Sequence, residues 1–311
     1  MKKLALLSAL LLVVSLSFGQ TVAVQGTVVD SQGKPVPFAF VRDSQHAYAT
    51  YADGEGSYAL KADATSKLIA TAKGFGAASA TVKEGGVNIT LPAGDGSAVS
   101  TSAGNMFSVH SEATTATILG SFASTTEVQG SRYLSENWMH GFAIGTDDGV
   151  IQDPAQLFNY DMMGGDIIYT ADQKAISTVN RANVKSVSLY DDKGVATKLA
   201  YVPAVDNSHY VKVLADGPKY KMYKQIIIRY MKATYQTNGM TSTGNKYDEY
   251  APTYLYFFAK GNDAPVKFNP KKKTLKELFA ADADKLDKYM SSAKGDIDDA
   301  YLTALGDALN Q

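Results

Sequence analysis

The chain of 311 residues contains no cysteine, which excludes disulfide frameworks, thiolate zinc sites and cysteine nucleophiles. It has four histidines, and none of them pairs with another at the spacing of metal ligands: His46, His110, His140 and His209. With 30 basic and 31 acidic residues the formal net charge is −1, so the chain lacks the basic field that holds a nucleic acid. We therefore expect no zinc-dependent, thiol-dependent or nucleic-acid-binding activity.

Motifs of catalysis and cofactor binding are also missing. The sequence contains no H-E-x-x-H, no G-x-S-x-G, no phosphate-binding loop and no G-x-G-x-x-G after a strand. We therefore predict no catalytic residue and no cofactor, and expect that the protein is not an enzyme. Three pairs of adjacent aspartates lie where a turn or a helix start accounts for them, at Asp147-Asp148, Asp191-Asp192 and Asp298-Asp299.

A calcium site in the first third of the chain is the one metal alternative that the residue types suggest. Clustered oxygens suit a hard cation, and Asp30, Asp53 and Glu55 supply carboxylates. They lack the dense D-x-D-x-D spacing, and aspartate is a common turn residue in any case. We therefore predict no metal ligand.

Long apolar runs are confined to the beginning of the chain. Lys2 and Lys3 precede an apolar run at residues 4–16, and Ser17 and Gly19 place small residues ahead of Gln20. This layout predicts a signal peptide at residues 1–19 and an exported protein. No later stretch is apolar enough to span a membrane as a helix. The sequence leaves open whether the protein stays in the periplasm, associates with the outer membrane or is extracellular.

Residues 22–91 switch to short alternating runs separated by turn residues. The turn at Asp53-Gly54-Glu55-Gly56 joins two such runs as a hairpin, and Pro35 and Pro37 exclude a helix between the first runs. Seven short strands at a spacing of roughly ten residues predict an antiparallel β-sandwich.

Four landmarks in this segment occur in the order and spacing of one family. They are Gly26-Thr-Val-Val-Asp30, Gly33-Lys-Pro35-Val-Pro37-Phe-Ala39-Phe-Val41, Asp53-Gly-Glu-Gly56-Ser-Tyr58-Ala-Leu60 and Lys73-Gly74-Phe75. The segment resembles the carboxypeptidase regulatory-like domain, a transthyretin-like β-sandwich related to carbohydrate-binding-like folds. The resemblance implies an accessory module of exported bacterial proteins and brings no catalytic residue with it. Phe38 departs from the family, which often has glycine in this second turn.

Residues 92–130 form a composition boundary. Ser, Thr, Ala and Gly dominate this segment, and neither Lys nor Arg occurs between Glu84 and Ser131. This composition predicts a flexible linker. Several apolar residues near Phe107 and Ile118 leave open a partly ordered linker, with a strand starting near Gly104.

Residues 131–311 hold 16 of the 19 tyrosines. Extended runs, among them Asp166–Thr170 and Val184–Tyr190, dominate to about residue 260. Residues 219–235 predict a central strand buried on both faces. The end of the chain is helical: Thr274-Leu-Lys-Glu277 is a capping box, Gly295 interrupts the pattern, and Asp296 is placed to cap a second helix. We therefore expect a mainly β, α+β chain in which a tyrosine-rich antiparallel sheet carries two C-terminal helices.

Three functions remain open from the sequence. The preferred one is a non-catalytic envelope protein that acts as a binding or structural module for a protein or a surface glycan; the residues that would bind the ligand are not predicted. The second is a carbohydrate-active or peptide hydrolase with an unrecognised pair of carboxylates. The third is an accessory subunit of an outer-membrane transport system. Exposed aromatic residues grouped in one patch favour binding, whereas buried tyrosines favour a structural role.

Overall fold

The computed structural model describes residues 21–94 and 128–311, and this part of the chain is mostly β with three helices at its end. The mainly β, α+β fold class predicted from the sequence is confirmed. Among the helices of these residues, none is long and apolar enough to cross a membrane. The predicted signal peptide and most of the predicted linker lie outside the described residues.

Two four-stranded sheets form a β-sandwich-like unit around one core that includes Val28, Leu68 and Leu91. One sheet has the order β4-β1-β7 with β8 also on β1, and the other has the order β3-β2-β5-β6. The strands are β1 (Thr21–Asp30), β2 (Phe40–Asp43), β3 (Ala49–Tyr51), β4 (Ser57–Asp63), β5 (Lys67–Thr71), β6 (Ala78–Thr81), β7 (Gly85–Gly86) and β8 (Ile89–Leu91).

Two details of the predicted sandwich are wrong. The described unit has eight strands rather than seven, because the short strand Gly85–Gly86 precedes the last predicted one. The sheets are also not purely antiparallel, since β7 and β8 both run parallel to β1. Parallel partners come from distant parts of the chain, so no local turn signal announces them.

A nine-stranded sheet organises the rest of the chain, in the order β11-β10-β15-β16-β17-β18-β21-β22 with β9 also on β21. A three-stranded sheet (β12-β13-β14) and a small hairpin (β19-β20) accompany it. The strands are β9 (Val128–Gln129), β10 (His140–Gly145), β11 (Val150–Ile151), β12 (Leu157–Asp161), β13 (Asp166–Thr170), β14 (Ser177–Thr178), β15 (Val184–Tyr190), β16 (Ala196–Ala200), β17 (Val211–Asp216), β18 (Tyr220–Met231), β19 (Gln236–Thr237), β20 (Ser242–Thr243), β21 (Asp248–Lys260) and β22 (Val266–Phe268).

One face of the nine-stranded sheet, called here the front face, is covered by a small sheet on one part and by helices on another. The small sheet β12-β13-β14 packs on the part that carries Val187 and Leu199. The helices α1 (Lys272–Leu278), α2 (Ala283–Ser292) and α3 (Asp299–Asn310) pack on the part that carries Met222 and Phe258. The opposite, back face of β10, β15 and β16 is turned toward the sandwich.

The helices differ from the prediction in number and in their first residues. The described part has three helices rather than two, because a short 3₁₀ turn at Ala280–Asp282 divides the first predicted one. Helix α1 starts after Lys271, so Thr274 lies inside it and does not cap it. Lys271 makes no side-chain cap, and Leu275 and Phe279, one turn apart, pack in the core. Asp298, not Asp296, caps α3 by accepting a hydrogen bond from the Tyr301 N–H over 2.8 Å.

The predicted central strand is only half correct. β18 lies between β17 and β21 as expected, and its first half is buried. Its pairing with β17 extends only from Lys221 to Lys224, whereas its pairing with β21 continues to Met231. The second half is therefore a two-stranded extension whose residues become progressively more exposed.

Candidate functional site

Four buried aromatic residues join the sandwich to the back face of the nine-stranded sheet. Phe40 and Tyr51 come from the sandwich, and Phe142 and Tyr190 come from neighbouring strands of the large sheet. The ring centroids of Phe40 and Phe142 are 5.5 Å apart, and those of Tyr51 and Tyr190 are 5.2 Å apart. Packing between these rings, which we call the aromatic junction, fixes the two units against each other.

Hydrogen bonds of the buried Tyr51 hydroxyl complete the aromatic junction. This hydroxyl donates to the Gly141 carbonyl over 3.1 Å and accepts from the Gln152 side chain over 3.1 Å. Both partners belong to the large-sheet part of the chain. Burial raises the pKa of Tyr51, so its hydroxyl stays protonated and remains a donor at neutral pH.

Phe38 extends the aromatic junction at a position where the backbone is strained. Its φ is 53°, in the left-handed region that favours glycine. The Phe38 ring stacks on His140 at a centroid distance of 4.9 Å. A glycine at this position would relieve the backbone but lose the contact with the large sheet.

A double-mutant cycle tests this trade-off. In the wild-type background we expect Phe38→Gly to lower the free energy of unfolding, because the lost stacking and burial exceed the relieved strain of about 1–2 kcal/mol. In a His140→Ala background the same change should cost about 0.5–1.5 kcal/mol less. Urea unfolding of the four proteins measures both values. Additivity within about 0.3 kcal/mol would show that the two rings are not coupled.

The contribution of His140 to the free energy of unfolding should also depend on pH. Burial lowers the pKa of His140, opposed by the charge of Asp192, so the folded state favours the neutral imidazole. The stability that comes from burying the neutral His140 ring is present above the unfolded pKa of about 6.5, and it is lost as the pH falls through the lower pKa of the folded state. His140→Ala should remove this part of the pH dependence.

A cleft of about 1000 Å³ lies beside the aromatic junction, between the sandwich and the back face of the large sheet. Its floor carries Ile144, Ser186, Ser188 and Lys198, which adjoin one another on β10, β15 and β16. Strands β3 and β4, each at the edge of its own sheet, form much of the opposite wall. The volume is at the upper end of the range of ligand pockets, about 300–1,000 Å³.

The described residues that line this cleft include a single acid, Asp53. Its carboxylate accepts hydrogen bonds from the N–H groups of Glu55 and Ser57 in its own turn. A glycosidase of the usual kind needs two carboxyl groups facing the bond that breaks. This cleft does not supply such a pair, so nothing in its geometry favours the hydrolase alternative.

The tyrosines of the large-sheet region divide into buried and exposed groups. Seven are buried, and six of these, including Tyr160, Tyr210 and Tyr220, belong to the cores or to the aromatic junction. The exposed large hydrophobic residues are concentrated in another part of this region, between residues 230 and 254. Of the nine in the described part of the chain, five lie between residues 230 and 254: Tyr230, Met231, Tyr235, Met240 and Tyr254.

Two of these residues, Tyr230 and Tyr254, lie on the front face of the second half of the β18–β21 hairpin. Three successive cross-strand pairs on the front face are apolar: Ile226 with Tyr254, Ile228 with Pro252, and Tyr230 with Tyr250. We call residues 226–231 and 249–254 the tyrosine ribbon. Tyr254 is 48% exposed and Tyr230 is 39% exposed.

Neighbouring groups hold the rings of the tyrosine ribbon in place. The Tyr230 hydroxyl donates to Asp248, and the Tyr230 and Tyr250 centroids are 5.0 Å apart. The Lys224 ammonium lies 4.1 Å from the centroid of Tyr254, within the range of a cation–π contact. The exposed rings are therefore preorganised, which lowers the entropic cost of binding a ligand.

The other residues singled out in the sequence have local roles. Asp30 accepts the N–H groups of Gln32 and Lys34, as expected for a turn residue. His209 contacts Asp206 over 3.0 Å, and His110 lies outside the described residues. Within residues 21–94 and 128–311, no three His, Asp or Glu side chains are grouped as metal ligands.

Comparison with protein-family models and with curated proteins found no match for this chain. The resemblance of residues 22–91 to the carboxypeptidase regulatory-like domain therefore stays a prediction. The candidate sites are the tyrosine ribbon and the cleft, and sequence reasoning identified neither: the tyrosine enrichment pointed to the right region without showing which rings are exposed.

Proposed function

We propose that the protein is an exported, non-catalytic component of the bacterial envelope that binds a surface glycan through the tyrosine ribbon. The observation that carries the proposal is the pair of exposed rings, Tyr230 and Tyr254, which share the front face of the ribbon with the half-buried Tyr250. The signal-peptide pattern and the resemblance of the sandwich to accessory modules of exported proteins support the location.

Tyrosine suits this role because the ring has an apolar face and the hydroxyl keeps a polar partner. A sugar ring likewise has an apolar face of C–H groups and a rim of hydroxyls. Burying the first against a tyrosine ring removes apolar area from water, while the Asp248 carboxylate, which accepts the Tyr230 hydroxyl, supplies a polar partner beside the rings. Contiguous exposed apolar patches of this kind commonly mark interaction sites.

The test is affinity electrophoresis of the purified protein in gels that contain capsular polysaccharide or lipopolysaccharide. We expect retardation of the wild type, and a loss of affinity of about tenfold or more in the double variant Tyr230→Ala/Tyr254→Ala, since each buried aromatic anchor contributes about 1 kcal/mol or more. Tyr254→Phe retains the ring and should bind nearly as well as the wild type.

Val195→Ala is the matched control, because Val195 is 60% exposed and lies outside the tyrosine ribbon. Equal retardation of the wild type and the double alanine variant would contradict the proposal. Absence of retardation, together with capture of a protein that depends on Tyr230 and Tyr254, would assign the tyrosine ribbon to a protein partner instead.

A further inference from the structure

Strand β4 of the sandwich has one open edge. It pairs with β1 on one side and is the terminal strand of its sheet on the other. The Val28 N–H donates to the Gly56 carbonyl over 2.8 Å, which fixes the alternation of an antiparallel pair. Every second residue after Gly56 bonds to β1, so the residues between them, among which are Ala59 and Lys61, turn their N–H and C=O groups away from β1.

Local partners close this row of backbone groups at both ends. The Ser57 N–H donates to the Asp53 carboxylate over 2.8 Å, and the Ser57 carbonyl accepts the Asp53 N–H over 2.9 Å. At the other end, the Asp63 N–H donates to the Asp43 carboxylate over 2.9 Å. The outward backbone groups are therefore hydrogen-bonded at both ends of β4, on either side of a short segment at Ala59–Lys61 that we call the central window.

The central window faces the cleft. Ala59 and Lys61 are exposed, and both line the cleft. In residues 21–94 and 128–311, no backbone hydrogen bond pairs their outward N–H and C=O groups. Two donors and two acceptors, repeated every second residue, thus point into the space between the sandwich and the large sheet.

The charge of the cleft favours an acidic ligand. Its lining contains three lysines and one acid, Asp53, whose carboxylate is already engaged in its own turn. Lys198 pairs with Asp216 over 2.9 Å. Among the salt bridges of the described residues none involves Lys61 or Lys193, so two ammonium groups at the cleft are available to a ligand.

We propose that the cleft binds an acidic, extended peptide segment of a partner protein, which adds to the open edge of β4 as a further strand. The two-residue repeat of donors and acceptors at Ala59 and Lys61 matches a peptide backbone, and a sugar ring does not reproduce this spacing. Alternate side chains of the peptide point either toward Lys61 and Lys193 or onto the floor at Ile144. This site is separate from the tyrosine ribbon and does not depend on the glycan proposal.

A displayed library of random peptides of about ten residues, longer than a usual strand of about five to six, provides the probe. After selection on the full-length wild type, we expect enriched peptides to carry acids at alternate positions. Their affinity, followed by fluorescence anisotropy, should fall at least tenfold with Ala59→Pro, because proline removes one outward N–H and its ring obstructs the edge. Ala59→Val keeps the N–H and should bind like the wild type.

Charge reversal gives an independent test. Lys61→Glu/Lys193→Glu should weaken binding at least tenfold and reduce its salt dependence, whereas Lys67→Glu, an exposed lysine on β5 outside the cleft, should have no effect. If Ala59→Pro fails to fold, Lys61→Pro removes the second outward N–H. Failure to enrich any peptide, equal binding to the proline variants, or protection of the Ala59 and Lys61 amides from hydrogen exchange by envelope polysaccharide instead would each overturn the proposal.

Discussion

Replacing Phe142 by alanine is expected to uncouple the sandwich from the large sheet. Phe142 is buried in the aromatic junction between Phe40 and Tyr190, and truncation of a buried phenylalanine typically costs about 3–5 kcal/mol through lost burial and the cavity left behind. Because this cavity opens at the junction, the loss should appear in the contact between the two units.

Urea unfolding followed by two signals measures the effect. Trp138 is the only tryptophan and reports on the large-sheet region, whereas far-ultraviolet circular dichroism reports on all strands. The wild type should give coincident transitions, and Phe142→Ala should separate them. Phe268→Ala is the control, because Phe268 is equally large and buried but packs under the helices. It should lower the midpoint without separating the signals, and coincident, unshifted transitions in Phe142→Ala would refute a structural role of the aromatic junction.

Asp299→Asn is expected to destabilise the helix layer by about 2–4 kcal/mol. The Asp299 carboxylate at the start of α3 pairs with Lys212 over 3.1 Å and with Lys224 over 2.9 Å. Removing one partner of a fully buried pair costs about 3–5 kcal/mol because the other charge stays uncompensated. We expect a somewhat smaller loss because the Asp299 side chain is 22% exposed.

The same carboxylate should give stability a defined pH dependence. Burial by itself raises the pKa of Asp299, but hydrogen bonds and charges from Lys224 and Lys212 outweigh it, so the pKa is lowered overall. Its contribution is therefore fully present above the unfolded value of about 3.9 and is lost as the pH falls through the lower folded value.

Thermal unfolding of the wild type and of Asp299→Asn between neutral and acidic pH measures this dependence. The two curves should converge at low pH. Asp287→Asn is the matched control, because its pair with Lys276 is exposed and such pairs contribute at most about 1 kcal/mol. A constant difference across the pH range would show that Asp299 does not act through its charge.

Local patterns in the sequence predicted the bounds of a strand well where its own residues and the flanking turns set those bounds. The apolar runs at Asp166–Thr170 and Val184–Tyr190 predicted β13 and β15 at their observed bounds. Alternation and turn residues specify such segments, because side chains repeat every two residues and glycine or aspartate permits the turns. The helices were predicted by periodicity, but their first residues were not.

The errors occurred where distant residues decide the outcome. Thr274 fits a capping box, yet α1 begins at Lys272 without a side-chain cap, and burial of Leu275 and Phe279 in the core stabilises it instead. Residues 219–235 were predicted to be buried throughout, yet β17 pairs with β18 only as far as Lys224. Burial of a strand depends on the length of its neighbours, which the strand's own residues do not encode.

By itself, the sequence determined the mainly β class, the absence of cysteine chemistry, and the region in which tyrosines concentrate. Only the tertiary structure decided which tyrosines are buried, that Phe38 and Phe142 join the two units, and that Ala59 and Lys61 face a cleft. The physical reason is the distance along the chain over which each property is decided. Strand and turn formation depend on neighbours a few residues apart, whereas exposure, clefts and open edges depend on which remote strands pair and where that pairing ends.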